Sequence, residues 1–315
     1  MRTYYSQLTL FCAILFNLLT FSKAESHPWG GLVLDNDGNI YFTFICPFVD
    51  DDHYACVWKI DSNNNPNEVL KASQSPSDII LKRTLDRTIF AAERNGSNPN
   101  YVNSLWKINE EETNLIIEPS TNQNLFHIQT YAVTTEGIIY FAKDHKLFKR
   151  DANKTISEIE LEDKIGRIQL LEIGPSNSLY IFSENNLYKR VNNTIDLIAE
   201  GLREENPENV PFQGANIMFD MAVDENGNVY FAYYGNRKVL RVSHSGSVTE
   251  ILTSKAPWSP HGVDILNDEI YVLESTLGDG KWWEFWKRND NEIIPRIRKV
   301  STSGKISEVF NFSSN

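Results

Sequence analysis

Six polar residues recur at one position of a repeated sequence unit, just before or within a short apolar stretch. They are His27, Asp78, His127, Gln169, Asp220 and His261. If the repeats surround a common axis, these side chains converge on one opening and form a ligand site. Imidazole and carboxylate groups bind zinc and other transition metals, and they act as general acids and bases near neutral pH. Asp220 and His261 are the main candidates for catalysis and for metal binding, although polar groups at such an opening can also simply hold water.

The repeated unit that carries these residues consists of four short strands. Its second strand contains an aromatic residue, and successive aromatics lie 40 to 50 residues apart. They are Tyr41, Phe90, Tyr140, Tyr180, Tyr230 and Tyr271. Pairs such as Asp37-Gly38 and Asn226-Gly227 supply the positive-φ residues that tight hairpins need. This spacing predicts an all-β fold, a six-bladed β-propeller of four-stranded antiparallel blades that forms a single domain over residues 25–315.

Strand order predicts that one face of the propeller carries the long loops. Loops that enter a first strand or join strands two and three open on that face, and the segments are 46–56, 94–103, 201–217, 255–261 and 275–295. They contain Trp258, and the last of them contains Trp282, Trp283 and Trp286. Elaborate loops on a rigid scaffold often bind ligands, so these tryptophans are candidate ligand-binding residues. The alternative is that they only pack on the propeller rim.

Several features indicate export from the cell. Residues 1–24 have the layout of a secretory signal peptide, with Arg2, an apolar run over 8–19 and small residues before Glu25. Cys46 and Cys56 then stay as an even pair, which predicts a disulfide in an oxidising compartment. Four N-glycosylation sequons begin at Asn95, Asn153, Asn192 and Asn311. We therefore expect a secreted, extracellular glycoprotein.

Charge and motifs narrow the range of partners. The formal net charge of −12 argues against nucleic acid and anionic membranes, and no apolar run is long enough to predict a membrane span. The sequence contains no Gly-x-Ser-x-Gly, His-Glu-x-x-His or phosphate-loop motif. Asp224 and Asp264 are expected to be turn or strand-end residues. A small molecule or an extracellular protein is the expected partner.

Two stretches carry a resemblance to known propellers. MAVDENGNVY at 221–230 and PHGVD at 260–264 resemble NHL-repeat propellers and the related superfamily of gluconolactonases, paraoxonases and strictosidine synthases. The resemblance covers nearly all of residues 27–312 and implies a six-bladed propeller. The middle blades are also similar to insect ommochrome-binding proteins, which are secreted pigment binders.

The resemblance also implies a metal site. Gluconolactonase-like members hold a divalent cation, usually calcium, at the channel mouth through Glu, Asn and Asp side chains, and such a cation polarises a lactone or phosphoester. Asp220 matches the Asp of that set. The family's Glu is replaced by the stretch that begins at His27, and its Asn-Gly pair by His261-Gly262. These departures leave open whether calcium, zinc or no cation is bound.

Two functions of different classes follow. The first is an extracellular protein that binds a small molecule or a protein partner on its loop-rich channel face. The alternative is a metal-dependent hydrolase of lactones or phosphoesters, which would use Asp220 and His261. The tryptophan-rich insertion and the incomplete ligand set favour binding.

Overall fold

The computed structural model describes residues 31–46, 54–74, 77–96, 100–109, 112–128, 130–161, 165–205, 216–276 and 294–312. They form 24 strands in six sheets of four. Blades 1 to 3 contain β1 Leu32–Leu34, β2 Ile40–Ile45, β3 Ala55–Ile60 and β4 Pro66–Lys71; β5 Ser77–Arg83, β6 Ile89–Asn95, β7 Val102–Ile108 and β8 Thr113–Ser120; and β9 Thr130–Val133, β10 Ile139–Lys143, β11 Lys146–Arg150 and β12 Ile156–Ile159. Blades 4 to 6 contain β13 Ile168–Gly174, β14 Ser178–Ser183, β15 Asn186–Val191 and β16 Thr194–Ala199; β17 Met218–Val223, β18 Val229–Tyr233, β19 Lys238–Val242 and β20 Val248–Thr253; and β21 Ser259–Leu266, β22 Glu269–Ser275, β23 Pro295–Val300 and β24 Ile306–Asn311.

The six sheets close into a ring. Within each sheet, consecutive strands pair antiparallel in chain order. The first strands contact one another in the order β1, β5, β9, β13, β17, β21 and back to β1. This arrangement confirms the predicted six-bladed β-propeller and its four-stranded blades. The first strands line the central axis, and each described sheet takes its strands from one consecutive stretch of the chain.

Apolar side chains fill the spaces between neighbouring blades. Blades 6 and 1 meet through Phe42, Leu273, Ile297 and Phe310, all of which are buried. Each such side chain contributes about 1.5–3 kcal/mol by leaving water. Aromatic and branched residues at the second and third strands therefore hold adjacent blades face to face, as the repeat pattern predicts.

Two buried carboxylates fix the links between blades. Glu93 lies three residues after the second-strand aromatic of blade 2, and Glu274 occupies the same place in blade 6. Glu93 accepts hydrogen bonds from the Ser73 backbone at 2.7 Å and from Trp106 at 3.0 Å. Glu274 accepts a hydrogen bond from Ser254, which follows the last strand of blade 5. Both acids thus hold the chain where it passes from one blade to the next.

The connections on the loop-rich face differ among the blades. In blades 1, 2 and 6 the second and third strands are separated by residues 46–54, 96–101 and 276–294. In blades 3 and 4 the same connections are the two-residue turns 144–145 and 184–185. None of the long loops named from the sequence joins these strands in blades 3 and 4, where Asp144 and Glu184 adopt the positive φ that such turns require.

The predicted disulfide is present. Cys46 and Cys56 are bonded, with a Cα–Cα distance of 5.3 Å. The bond closes the 46–56 loop of blade 1. Within the described ranges no helix is long and apolar enough to cross a membrane. The expected signal peptide, 1–24, lies outside the described residues.

The four sequons differ in accessibility. Asn95 is 5% exposed, and its side-chain amide donates to Ser73 at 2.9 Å and to Glu93 at 2.8 Å. Asn153 and Asn192 are exposed, and Asn311 is half-buried. A glycan on the Asn95 amide nitrogen would disrupt its hydrogen bonds to Ser73 and Glu93 and would have to enter a buried position, so the folded structure disfavours this modification.

We therefore expect selective glycosylation when the chain is produced in a secreting eukaryotic host. Glycopeptide mapping should find glycans on Asn153 and Asn192 and an unmodified Asn95, because a chain modified there cannot complete the links of blade 2. Folded, monomeric protein with a fully occupied Asn95 would contradict the arrangement of that blade.

Candidate functional site

The polar residues predicted to surround the channel opening lie, where the structure describes them, at different positions along the inner strands. Asp78 and Gln169 are the second residues of β5 and β13, Asp220 and His261 are the third residues of β17 and β21, and His127 precedes β9. The remaining candidates lie outside the described residues; they are His27, Trp282, Trp283 and Trp286. The described candidates share one end of the propeller, but each has its own local surroundings.

Asp220 points into the closed centre of the channel. Its Oδ1 lies 3.2 Å from Nζ of Lys82, and the same ammonium lies 2.9 Å from Oε2 of Glu172. Lys82 belongs to blade 2 and Asp220 to blade 5, which is opposite in the ring. The lysine side chain therefore crosses the axis and joins blades 2, 4 and 5.

A second ionic contact lies beside the first. Arg83 Nε donates to both oxygens of Asp264 at 2.8 and 2.9 Å. Arg87 Nη1 lies 3.3 Å from the same carboxylate, which also accepts the backbone N–H of Leu34 at 2.9 Å. These contacts join blades 6, 1 and 2. Asp264 was expected at a turn or strand end, but it is a fully buried residue of β21.

We call these residues the axial ion cluster: Lys82, Arg83, Arg87, Glu172, Asp220 and Asp264. Its three cations and three carboxylates balance in charge. The space left among the inner strands is about 10 Å³, which is about the minimum that one water molecule requires. The channel is thus closed midway, and its two mouths are separate.

Burial and ion pairing act against each other in the axial ion cluster. Burial raises the pKa values of Glu172 and Asp220, although Lys82 opposes the shift. Burial disfavours the ammonium form of Lys82, but the two carboxylates outweigh it and raise its pKa. Burial likewise disfavours the charged form of Asp264, yet Arg83 and other donors lower its pKa. Lys82 and Asp264 therefore stay charged at neutral pH.

Protein groups already occupy both oxygens of Asp220. Besides Lys82, Oδ1 accepts the N–H of Met221 at 2.9 Å and Oδ2 accepts the N–H of Val263 at 3.1 Å. The aspartate therefore ties β17 to β21 and neutralises the axial lysine. A catalytic or metal-binding role for Asp220 stays a prediction, and it would require a change in these contacts.

His261 is buried, and its imidazole has no hydrogen-bond partner among the residues that the structure describes. It is 1% exposed and lies at a β-bulge between Pro260 and Gly262. Neither ring nitrogen has a hydrogen-bond partner among the described residues. Burial lowers the pKa of His261 to about 3, and it is the one cause of this shift among the described residues. The imidazole is therefore neutral at physiological pH.

Two serines at the same end of blade 6 share this property. Ser259 and Ser275 face each other in register across β21 and β22, and both are 0% exposed. Their hydroxyl oxygens also lack partners in the described part of the chain. We call Ser259, His261 and Ser275 the blade 6 polar set. Buried polar groups are almost always hydrogen-bonded, so three partnerless ones in one place need an explanation.

Close packing of the inner strands fixes the backbone next to His261. A Cβ on Gly262 would lie 3.0 Å from Cβ of Leu32 and 3.1 Å from Cβ of Leu273. Contacts this short would force the strands apart. Glycine at this position therefore lets β21 approach β1 and holds the bulge that carries His261.

The other described candidates are held by neighbouring groups. Arg94 Nε donates to Asp78 at 3.0 Å, and the arginine stacks on Tyr101 at 4.6 Å. Nδ1 of His127 lies 3.2 Å from the carbonyl oxygen of Ala142, and partial burial lowers the pKa of this histidine. Their ligand-binding roles stay predictions, and no contact between described residues joins them to His261.

Gln169 and Trp258 differ from these two. Oε1 of Gln169 is buried and has no partner in the ranges described. The Trp258 ring stacks under the Arg296 guanidinium at 3.9 Å, and its carbonyl accepts Nη1 of Arg237 at 2.8 Å. Trp258 is half-buried and packs on the propeller rim against arginines, which agrees with the alternative to a ligand-binding role.

Sequence reasoning missed Lys82, Glu172 and the two serines. One signal was available for the lysine, because Lys82-Arg83 follows Ile79-Ile80-Leu81 in a strand expected to be buried. Charged residues are almost never fully buried unless they are paired. Such a pair on an inner strand thus indicates carboxylates on other inner strands. Serine gives no comparable signal, because it is common in exposed loops.

Comparisons with known proteins identify the fold. No protein-family model and no curated protein matches the chain. A streptogramin B lyase structure has a TM-score of 0.52 at 16% identity and covers 91% of this chain and 84% of its own. Virginiamycin B lyase from Staphylococcus aureus, as a catalytically inactive histidine-to-alanine variant with quinupristin, has a TM-score of 0.51 at 13% identity over 91% and 85%. A protein of unknown function from Bacteroides thetaiotaomicron has a TM-score of 0.54 at 13% identity over 81% and 68%. At these identities the likeness shows the fold alone: the chain has the six-bladed propeller architecture of the virginiamycin B lyases.

Proposed function

We propose that this chain is an extracellular binding protein that holds a small molecule on its loop-rich face, above blade 6. The blade 6 polar set is the observation that carries this proposal. Ser259, His261 and Ser275 are buried and partnerless among the described residues. A ligand that supplies donors and acceptors would satisfy them.

The free-energy cost of this set is large enough to matter. A buried polar group without a partner costs about 1–3 kcal/mol, so three such groups cost a sizeable part of the stability of a typical domain. A bound ligand offsets this cost through mass action. A fold that only needed a rigid blade would be more stable with apolar residues at these positions.

The chemistry of the set indicates the class of ligand. A neutral imidazole offers one donor and one acceptor, and each serine hydroxyl offers both. Among the described residues, burial alone shifts the pKa of His261, and no described charged group acts on it. The set therefore suits an uncharged polar molecule, such as one with hydroxyl or amide groups. The tryptophans of the 275–295 insertion are the sequence-based candidates for covering its apolar part.

The hydrolase alternative needs open carboxylates for a cation. Asp220 is bonded to Lys82, and Asp264 is bonded to Arg83. Glu274, on the strand next to His261, is bonded to Arg296 and Arg298. Calcium prefers several carboxylate or carbonyl oxygens, and these acids already neutralise internal cations. The geometry thus supports binding better than metal-dependent hydrolysis.

Native mass spectrometry of deglycosylated protein from a secreting host tests the proposal. The wild type should carry a bound molecule at one per chain, and extraction should release an uncharged polar compound. His261→Phe should lose it, because the phenyl ring fills the site without a hydrogen-bonding atom. His145→Phe, at an exposed turn, is the matched control and should retain it.

The result that would contradict the proposal is a wild-type mass equal to the bare polypeptide, together with no mass shift on a panel of uncharged polar metabolites. Elemental analysis for bound metal tests the hydrolase alternative. A stoichiometric metal and a lactone-hydrolysing activity, both lost in Asp220→Asn, would instead establish the hydrolase alternative.

A further inference from the structure

A cavity of about 350 Å³ opens at the other mouth of the channel, on the face of the hairpins between first and second strands. This size falls at the lower end of the range for small-molecule sites. The axial ion cluster separates it from the blade 6 polar set. Nothing in the proposed function uses this cavity.

The walls of the cavity come from the hairpin turns of three blades. Blade 2 contributes Leu85 and Arg87, blade 5 contributes Glu225, and blade 6 contributes Asp268. The turn Asn267–Asp268 has φ angles of 53° and 61°, as a two-residue hairpin requires. Short turns on a closed ring of strands make this a preformed site, with little ordering left to do on binding.

The kinds of charged group differ with depth in the cavity. At the floor, the guanidinium groups of Arg83 and Arg87 both contact the carboxylate of Asp264. Asp224 also lines the cavity, and its carboxylate accepts hydrogen bonds from Asn228 in the same turn. At the rim, Glu225 and Asp268 are exposed acids. Glu225 is close enough to Arg87 to act on its pKa. The guanidinium groups therefore lie at the floor of the cavity, and exposed carboxylates lie at its rim.

Donors are available at the floor. Arg83 is 7% exposed and lines the cavity, and its Nη1 makes only a long contact of 3.4 Å to the carbonyl of Thr84 in the described chain. Arg87 uses Nη1 and Nη2 on Leu34, Asp264 and Ile265. Nε and Nη2 of Arg83 contact Asp264, so a carboxylate entering the cavity would meet Nη1 of Arg83 and the guanidinium group of Arg87.

We propose that this cavity binds a small zwitterion of the α-amino-acid class. Its carboxylate lies inward against Arg83 and Arg87, and its ammonium group lies outward against Glu225 and Asp268. The apolar side chain lies along Leu85, Val223 and Ile265, which line the same cavity. A simple anion is repelled by the rim acids, and a simple amine is repelled by the guanidinium groups, so both charges are needed together.

Isothermal titration calorimetry with three matched ligands tests this proposal. They are L-leucine, isopentylamine, which lacks its carboxylate, and 4-methylpentanoate, which lacks its ammonium group. L-leucine should bind at one per chain, and each analogue should bind about tenfold more weakly because one charge-assisted contact is lost. No heat from any of the three at 10 mM ligand, or equal affinities for all three, would overturn the proposal.

Variants at the rim provide the second readout. Glu225→Gln and Asp268→Asn should each weaken L-leucine binding about three- to fivefold, as expected for partly exposed ion pairs. Asparagine tolerates the positive φ at position 268, so the turn should be retained. Glu158→Gln, an exposed acid on blade 3, is the control and should leave the affinity unchanged. Unaltered L-leucine affinity in both rim variants would place the ligand elsewhere and refute the site.

Discussion

Replacing Lys82 with alanine should lower the free energy of unfolding by about 3–5 kcal/mol, because it leaves Glu172 and Asp220 buried without their cation. Each carboxylate lies within 3.2 Å of the lysine ammonium, and all three side chains are almost fully buried. The loss corresponds to a fall in melting temperature of roughly 10 °C for a chain of this size. Chemical denaturation at pH 7 would measure it.

The same variant should have a characteristic pH dependence. Burial already raises the pKa values of Glu172 and Asp220, and loss of Lys82 should raise them further. An acid with a raised pKa in the folded state destabilises the fold as pH rises and it ionises. The deficit of Lys82→Ala should thus shrink as the pH is lowered towards 5.

Lys146→Ala is the matched control, because its ion pair with Glu158 is half-exposed on blade 3. Such a pair contributes at most about 1 kcal/mol. Equal effects of the two lysine variants, or a Lys82→Ala deficit that does not change with pH, would show that the axial ion cluster does not hold the blades together.

Acidification should destabilise the ligand-free protein through His261. Burial lowers its pKa to about 3 from the ordinary 6.5. Above pH 6.5 the imidazole is neutral in both states. Below it, the unfolded chain binds a proton that the folded chain cannot, so stability present above pH 6.5 is lost as pH falls towards 3. The free energy of unfolding should fall by about 1.4 kcal/mol per pH unit over this range.

Comparison with His261→Phe isolates this contribution. Other titrating groups are common to both proteins, so the difference between their stability profiles reports the histidine. That difference should change steadily from pH 6.5 to 4 and be flat above pH 7. The stability of His145→Phe should follow that of the wild type at every pH. If the free energies of unfolding of the wild type and His261→Phe instead change in parallel with pH, the imidazole is hydrated or already protonated.

The propeller could be predicted because its determinants are local. Each blade repeats an apolar first strand, a turn such as Asp37-Gly38, and an aromatic second strand such as Tyr41. The structure confirms six blades in which these turns connect neighbouring strands. Sequence patterns with periods of two and of about 45 residues therefore suffice to give blade number and strand order.

The partners of the inner polar residues could not be predicted in the same way. Lys82 and Glu172 are 90 residues apart in sequence, and Lys82 and Asp220 are 138 apart. Their contact depends on ring closure, which places blade 2 opposite blade 5. Alignment of the repeats predicts how far along its strand a residue lies. It does not predict whether a carboxylate at that position contacts a metal, a lysine or water.

For His261, the sequence predicted the position in the fold but not the groups that surround the side chain. The repeat pattern correctly placed it on the first strand of blade 6. Its missing partners follow from the packing around the Pro260–Gly262 bulge and from the facing serines, and neither feature has a sequence signature. Asp78 illustrates the opposite case, because its position was predicted but Arg94 neutralises it.

The closed channel gives the molecule two independent mouths. At one end, the blade 6 polar set is neutral and buried. At the other, a charged cavity opens between hairpin turns. The axial ion cluster leaves about 10 Å³ between them, so no small molecule passes along the axis. Ligands at the two ends should accordingly bind without competing for space.

A crystal structure of the protein secreted from its expression host would show whether a ligand occupies the blade 6 polar set. We expect density for a bound organic molecule above blade 6, with hydrogen bonds to the imidazole of His261 and to at least one of Ser259 and Ser275. Density in which those three side chains are hydrogen-bonded only to ordered water or to other protein groups would contradict it.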